Sequence, residues 1–192
     1  MTDLVESTRR YLSPRQAELV DRVVEAAESE VRENGYDGLT VRGAARRAGV
    51  AAATAYTYFA SKDHVLAEIL WRRLESLSPV EPDPARASLE RVTEELARLG
   101  TFMAADPEVA AACTISLLGT GADVRELRDR IGSRIVSRIA TALGDGHDAA
   151  VLQTLNLAYV GSMLSAGMGH LTFAEVPDAM AKAAALVLGT SG

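Results

Sequence analysis

Apolar residues recur at helical spacing along almost the whole chain, and no stretch alternates with the period of two that a half-buried strand requires. Leu19, Val20, Val23, Val24, Ala27 and Val31 stripe one side of a segment over about residues 15–34, which Pro14 precedes and Gly35 closes. The tetrapeptide Gly35-Tyr36-Asp37-Gly38 reads as a turn. Thr40 then stands as an N-cap before Val41, Ala44, Ala45 and Ala48, one apolar face of a short helix. Gly49 follows where a left-handed residue is wanted, Val50 plugs the corner, and Ala52 to Phe59 form a second short helix. Ser61 caps a fourth helix over roughly 62–77, with Val65, Ile69, Trp71 and Leu74. Pro79, Pro82 and Pro84 make residues 78–84 a rigid link and the clearest break in the pattern. Beyond it, helices are expected near 85–104, from an Asp106 N-cap and Pro107, near 123–143, near 148–169 and near 175–188, with Gly144-Asp145-Gly146 as a breaker. The fold class is all-α.

Residues 149–169 carry no charge, a run long enough to span a bilayer. Gln153, Asn156, Ser162 and Ser165 interrupt it and basic flanks are missing, so the expectation is a helix buried on nearly all sides, and no membrane partner. Cys113 stands alone, which excludes an internal disulfide and fits a reducing cytoplasm. The first ten residues show no apolar leader, which agrees with a cytoplasmic location.

Net charge is −6, which argues against a generally basic nucleic-acid binder. The charge is uneven, however. Residues 1–73 hold 11 Lys and Arg against 11 Asp and Glu, whereas residues 74–192 hold 9 against 15. Within 40–62 lie Arg42, Arg46, Arg47 and Lys62 and no acidic residue, a local field suited to phosphate. Two short helices joined at Gly49 in this setting read as a helix-turn-helix. The run from Arg22 to Leu66 also resembles the DNA-binding domain of the tetracycline-repressor (TetR) family over about residues 20–70. The resemblance rests on Gly35-Tyr36, Leu39-Thr40-Val41-Arg42, Ala48-Gly49-Val50, the spacing of Thr54, Tyr56, Tyr58 and Phe59, and Ser61-Lys62. It implies an N-terminal arm over 1–14, a DNA-binding domain over 15–62, and a helical effector-binding and dimerisation domain over 63–192.

A recognition helix must enter a major groove about 12 Å wide. Ala52, Ala53 and Ala55 keep the second short helix slim, and Ala52 and Ala53 offer no hydrogen bond, so they approach thymine methyls or permit close docking. Direct readout then falls to Arg42, the best candidate for bidentate contact with guanine, followed by Thr57 and Tyr56. Thr40, Thr54, Tyr58 and Lys62 suit phosphate contacts, which fix register. Val41 joins this set by position, and the resemblance singles out Tyr56 and Lys62. Phe59 and Tyr36 read as packing residues, and Arg46 and Arg47 as a solvated face.

On a wheel of 148–169, Ala158, Gly161, Ser162, Ser165 and Gly169 share one arc of small residues. The last helix offers Val176, Met180, Ala183 and Val187 as a companion stripe. The resemblance implies that the last two helices of each subunit form a four-helix dimer interface, which would set two recognition helices on a palindromic double-stranded operator. It also implies a small-molecule effector. Trp71, Phe102, Met103, Ile135, Tyr159 and Met163 could line an apolar cavity, with Asn156 a polar group in need of a partner. No catalytic constellation, metal set or cofactor motif emerges. His64 has only Glu68 as a helical neighbour, a surface pair, and Cys113 reads as a small buried residue. The chain is therefore expected to be a regulator that releases DNA on binding an apolar effector. The rival readings are a DNA-binding regulator without a ligand and, behind it, a helical binding module or enzyme.

Overall fold

The computed structural model describes residues 13–189, and every regular element among them is an α-helix. The arm expected over 1–14 lies outside these residues except for Ser13 and Pro14, which already belong to the start of α1 (Pro14–Gly38). Ser13 and Gln16 form a capping box. The Ser13 hydroxyl accepts from the Gln16 amide at 3.4 Å, and the Gln16 side chain accepts from the Ser13 amide at 2.9 Å. Gly35 interrupts the helical path as expected, at φ +67° and ψ −176°, a conformation that costs a side-chain-bearing residue energy, and a separate short turn runs on to Gly38.

α2 (Val41–Arg47) starts at Thr40, whose hydroxyl accepts from the Gly43 amide at 2.9 Å. Gly49 turns the chain at φ +66° into α3 (Ala52–Tyr58), and Phe59 caps that helix. The three helices close on Val23, Ala27, Val31, Leu39, Ala44, Ala45, Ala55 and Phe59, each at most 1% exposed. Phe59 also stands edge-on to His64, ring centres 5.6 Å apart. Phe59→Ala is expected to lower stability by about 3–5 kcal/mol. A denaturant midpoint unchanged by that substitution would show that Phe59 is not part of the cooperative core.

α4 (Lys62–Ser76), capped by Ser61, buries Val65, Leu66, Ile69, Leu70 and Leu74 and packs on α1, on α6 (Pro107–Ser116) and on α7 (Ala122–Leu143). α5 (Ser88–Ala104) lies against α7 and α9 (Val176–Gly189), while α8 (Ala149–Gly167) contacts α6, α7 and α9. The approach of α5 to α9 is close: a Cβ on Gly100 would sit 3.2 Å from the Pro177 ring.

Two charged networks hold these layers in register. The proline-rich link after α4 is pinned from below: Arg138 bonds the Glu95 carboxylate and donates to the carbonyls of Leu77 at 2.6 Å and Ser78 at 3.1 Å. Glu95 in turn accepts from the Val80 amide at 2.8 Å. Both ions are almost wholly buried. At the junction of α1, α4 and α6, Asp106 stands at the N-cap position expected for it, but its carboxylate makes no cap bond. It pairs instead with Arg32 at 2.6 Å and Arg73 at 3.1 Å, and Glu28 bonds the same two arginines. Burial pushes the Asp106 carboxyl up, and the bonds from Arg32 and Arg73 outweigh it, holding the group below its usual range.

One expectation fails clearly. α8 is not buried on nearly all sides: Leu155, Tyr159 and Ala166 are buried, whereas Leu157, Val160 and Met168 are 62%, 43% and 64% exposed. It also has the length and hydropathy of a membrane span. Its apolarity faces outward because α9 spends its own buried stripe on α5 and covers only part of α8.

Candidate nucleic-acid interface and effector cavity

The outward face of α3 carries Ala53, Tyr56 and Thr57, at i, i+3 and i+4, with Tyr56 52% exposed. Ala52, Thr54 and Tyr58 are half-buried at its edges. Thr57 donates its hydroxyl proton to the Ala53 carbonyl at 3.1 Å, so toward a base it can only accept. Thr40 uses a lone pair as the α2 cap and keeps its proton for another acceptor. Arg42 and Arg46 are exposed on α2, and neither pairs with a carboxylate among the described residues. Arg47, exposed as expected, does: it binds Glu30 and Glu33, which ties α2 to α1.

Two sequence expectations change here. Val41 is 3% exposed and packs in the domain core, so its side chain cannot touch DNA. Its place in the apolar face of α2 is the reason. Lys62 is not simply a free phosphate ligand. Its ammonium donates to the Tyr36 carbonyl at 2.9 Å and sits 3.8 Å above the Tyr36 ring. Two of its three donors remain. Tyr36 completes this joint by donating to Asp63 at 2.7 Å, and burial, followed by that bond, raises its hydroxyl pKa to about 12. Glu68 bonds Arg72 rather than His64, so the expected surface pair does not form. Desolvation pushes the His64 ring below its usual pKa.

A cavity of about 200 Å³ opens between α4, α5, α6, α7 and α8. Phe102, Ile135, Tyr159 and Met163 line it as expected from the sequence. Three expected members do not. Met103 is fully buried in the core, Trp71 lies under the Arg130 guanidinium at 4.4 Å, and Asn156 is half-buried on α8 away from the lining. The walls missed by sequence reasoning are Leu70 and Leu74 of α4, Thr114 of α6, Leu117 and Leu118 after it, Arg128, Ile131 and Gly132 of α7, and Val160 and Leu164 of α8. Arg128 left a signal: it stands four residues after Val124 and three before Ile131, a charge on an apolar stripe. A wider groove of about 410 Å³ shares Phe102, but its ions, Arg73 and Asp106, already neutralise each other.

The profile described as "Bacterial regulatory proteins, tetR family" matches residues 23–69. An HTH-type transcriptional regulator of Mycobacterium tuberculosis is 42% identical over 180 residues, 91% of this chain and 82% of the relative. The chain belongs to the TetR family. It is a helix-turn-helix transcriptional regulator. The HTH-type transcriptional repressor KstR of Rhodococcus jostii is 31% identical over 68% of this chain and 62% of its own length. A TetR transcriptional regulator from Rhodococcus sp. RHA1 shares the fold with a TM-score of 0.75 at 20% identity, over 94% of this chain and 100% of that one.

Within this TetR fold, the residues expected to pair two subunits fall into three groups. Gly161 and Gly169 are exposed. Ala158, Ser162, Ser165, Ala183 and Val187 are half-buried, and Ser162 reaches the Met180 sulfur at 3.5 Å within the same chain. Val176 and Met180 are completely buried, so they cannot face a second subunit. They sit on the stripe of α9 that is buried within its own protomer. The exposed stripe of α8 is instead Leu157, Val160, Gly161 and Met168, with half-buried Leu164 among them.

Proposed function

We propose that this chain is a cytoplasmic homodimeric repressor, bound to a palindromic double-stranded operator and released from it by a small, largely apolar effector. The observation that carries the DNA reading is the slim outward face of α3 beside two exposed arginines of α2 with no carboxylate partner among the described residues. In this reading residues 15–62 hold the DNA-binding part and 63–192 the effector and pairing part. Arg42 reads a guanine, Tyr56 and Thr57 approach base edges, and Ala52 and Ala53 permit docking. Thr40, Thr54, Tyr58 and Lys62 serve the phosphates. The outer stripe of α8 supports pairing, since exposed apolar residues at helical spacing call for a cover. Two recognition helices about 34 Å apart then read two half-sites.

The cavity supports effector control because its walls include Leu70 and Leu74 of α4 and the end of α6. Both helices touch α1, and Asp106 at the start of α6 binds Arg32 of α1 and Arg73 of α4. An occupant that shifts α4 or α6 therefore acts on the helices that carry α3, and it favours a dimer geometry that no longer matches successive grooves. Equal separation of the recognition helices with and without effector would defeat this lever.

The test is binding of the purified chain to its own upstream DNA and to random DNA across a salt series. Arg42→Ala is expected to cost about 1–3 kcal/mol on specific DNA and to relax preference at one base step. Lys62→Ala is expected to weaken all sequences alike and to lower the salt slope by about one. If the two substitutions act alike on specific and random DNA, Arg42 does not read a base. Weak binding that ignores sequence would remove the operator reading altogether.

A further inference from the structure

We propose that the cavity takes an amphipathic carboxylate, with Arg128 as the anchor for its charge and the walls holding a hydrocarbon body. The inference rests on the cavity being the effector site and adds the chemical class of the occupant.

Arg128 is the one charged residue in the lining. Its Nη1 donates to the carbonyls of Leu117 at 2.9 Å and Gly119 at 3.2 Å, which fixes the guanidinium at the wall beyond the end of α6. Its Nε and Nη2 have no protein partner among the described residues, and no carboxylate pairs with it. That sets it apart from Arg32, Arg47, Arg72, Arg73 and Arg138, each of which binds an aspartate or glutamate. A cation at an apolar wall without a counter-ion favours an anionic occupant.

The other polar groups of the lining are already committed. Thr114 donates its hydroxyl proton to the Ala110 carbonyl at 2.9 Å, and Tyr159 donates to the Leu99 carbonyl at 3.0 Å. Arg128 thus supplies the uncommitted side-chain donors, in the planar fork that a carboxylate matches with two parallel bonds. A phosphate monoester would bring a second negative charge that nothing in the lining neutralises. The remaining walls, among them Leu70, Leu74, Ile131, Ile135 and Met163, are hydrocarbon or thioether. The space measures about 200 Å³, which suits a short hydrocarbon chain.

Octanoate, with seven carbons beyond its carboxyl group, is the probe, compared by titration calorimetry with octan-1-ol, octylamine and octyl phosphate on the full chain. Octanoate is expected to bind at least about tenfold tighter than octan-1-ol, with octylamine and octyl phosphate weaker than octanoate. Arg128→Gln, which removes the charge and keeps an amide donor, should erase the preference, and Arg128→Lys should restore part of it. Gly132→Leu locates the site. Gly132 belongs to the lining and is exposed, and a Cβ there meets nothing within 4 Å, so leucine is accommodated without a clash at the cavity wall and should weaken octanoate binding. Equal binding of octanoate and octan-1-ol, tighter binding of octyl phosphate, no binding of octanoate, or unchanged binding in both Arg128→Gln and Gly132→Leu would overturn the assignment. DNA release is scored separately. Octanoate that binds through Arg128 without releasing the operator defeats the effector reading and leaves the carboxylate site standing. Release by octan-1-ol without the charge preference does the reverse.

Discussion

Methionine in place of Arg138 is expected to destabilise the chain by about 3–5 kcal/mol, because it strands the Glu95 carboxylate in the interior and removes the donors from two link carbonyls. At about 2–4 °C per kcal/mol for a chain of this size, the melting midpoint should fall by roughly 6–20 °C. The stranded charge, rather than lost packing, should be the larger part. Arg138→Met combined with Glu95→Gln therefore tests the cause: the amide oxygen can still accept from the Val80 amide, and no buried charge remains. The double variant should recover more than half of the loss. If it is no more stable than Arg138→Met alone, the pair does not hold the link through its charge.

The second large effect concerns pairing. Gly161→Arg places a charge in the middle of the exposed stripe formed by Leu157, Val160 and Met168. A Cβ at Gly161 meets nothing within 4 Å inside the protomer, and glycine is a poor helix former, so the folded protomer should be unharmed or slightly more stable. The proposed dimer should not tolerate it. Sedimentation should show a dimer for the parent chain and a monomer for the variant. Operator affinity should drop by about 10²–10⁴, the advantage conferred by linking two half-site contacts. A dimer that persists at the same concentration would place the interface elsewhere.

Both effects depend on charged or small residues set within apolar stripes, and the sequence made these only partly legible. Glu95 lies three residues after Val92 and four before Leu99, and Arg138 lies three after Ile135. Each occupies a core position by periodicity, which marks a buried ion, but the partner is 43 residues away and pairing at that range is invisible to local spacing. Arg128 is the same kind of exception on α7, and only the convergence of five helices shows that it faces a cavity. Asp106 shows the opposite error: its local pattern reads as a helix cap, yet two arginines from other helices outcompete the backbone amide for its carboxylate.

The sequence by itself determined the helices and the helix-turn-helix, because caps, left-handed glycines and the period of 3.6 act within a few residues of each other. Thr40, Gly49 and Ser61 mark starts or turns in the structure at the positions their chemistry requires. Tertiary structure alone decided which apolar faces were spent inside the protomer. α9 and α8 both carry more apolar surface than one chain can cover. Packing of α9 on α5 buried Val176 and Met180 and left Leu157, Val160 and Met168 outside. A helical stripe states that a face seeks burial, and only the neighbours that reach it fix whether that burial lies within the chain or beyond it.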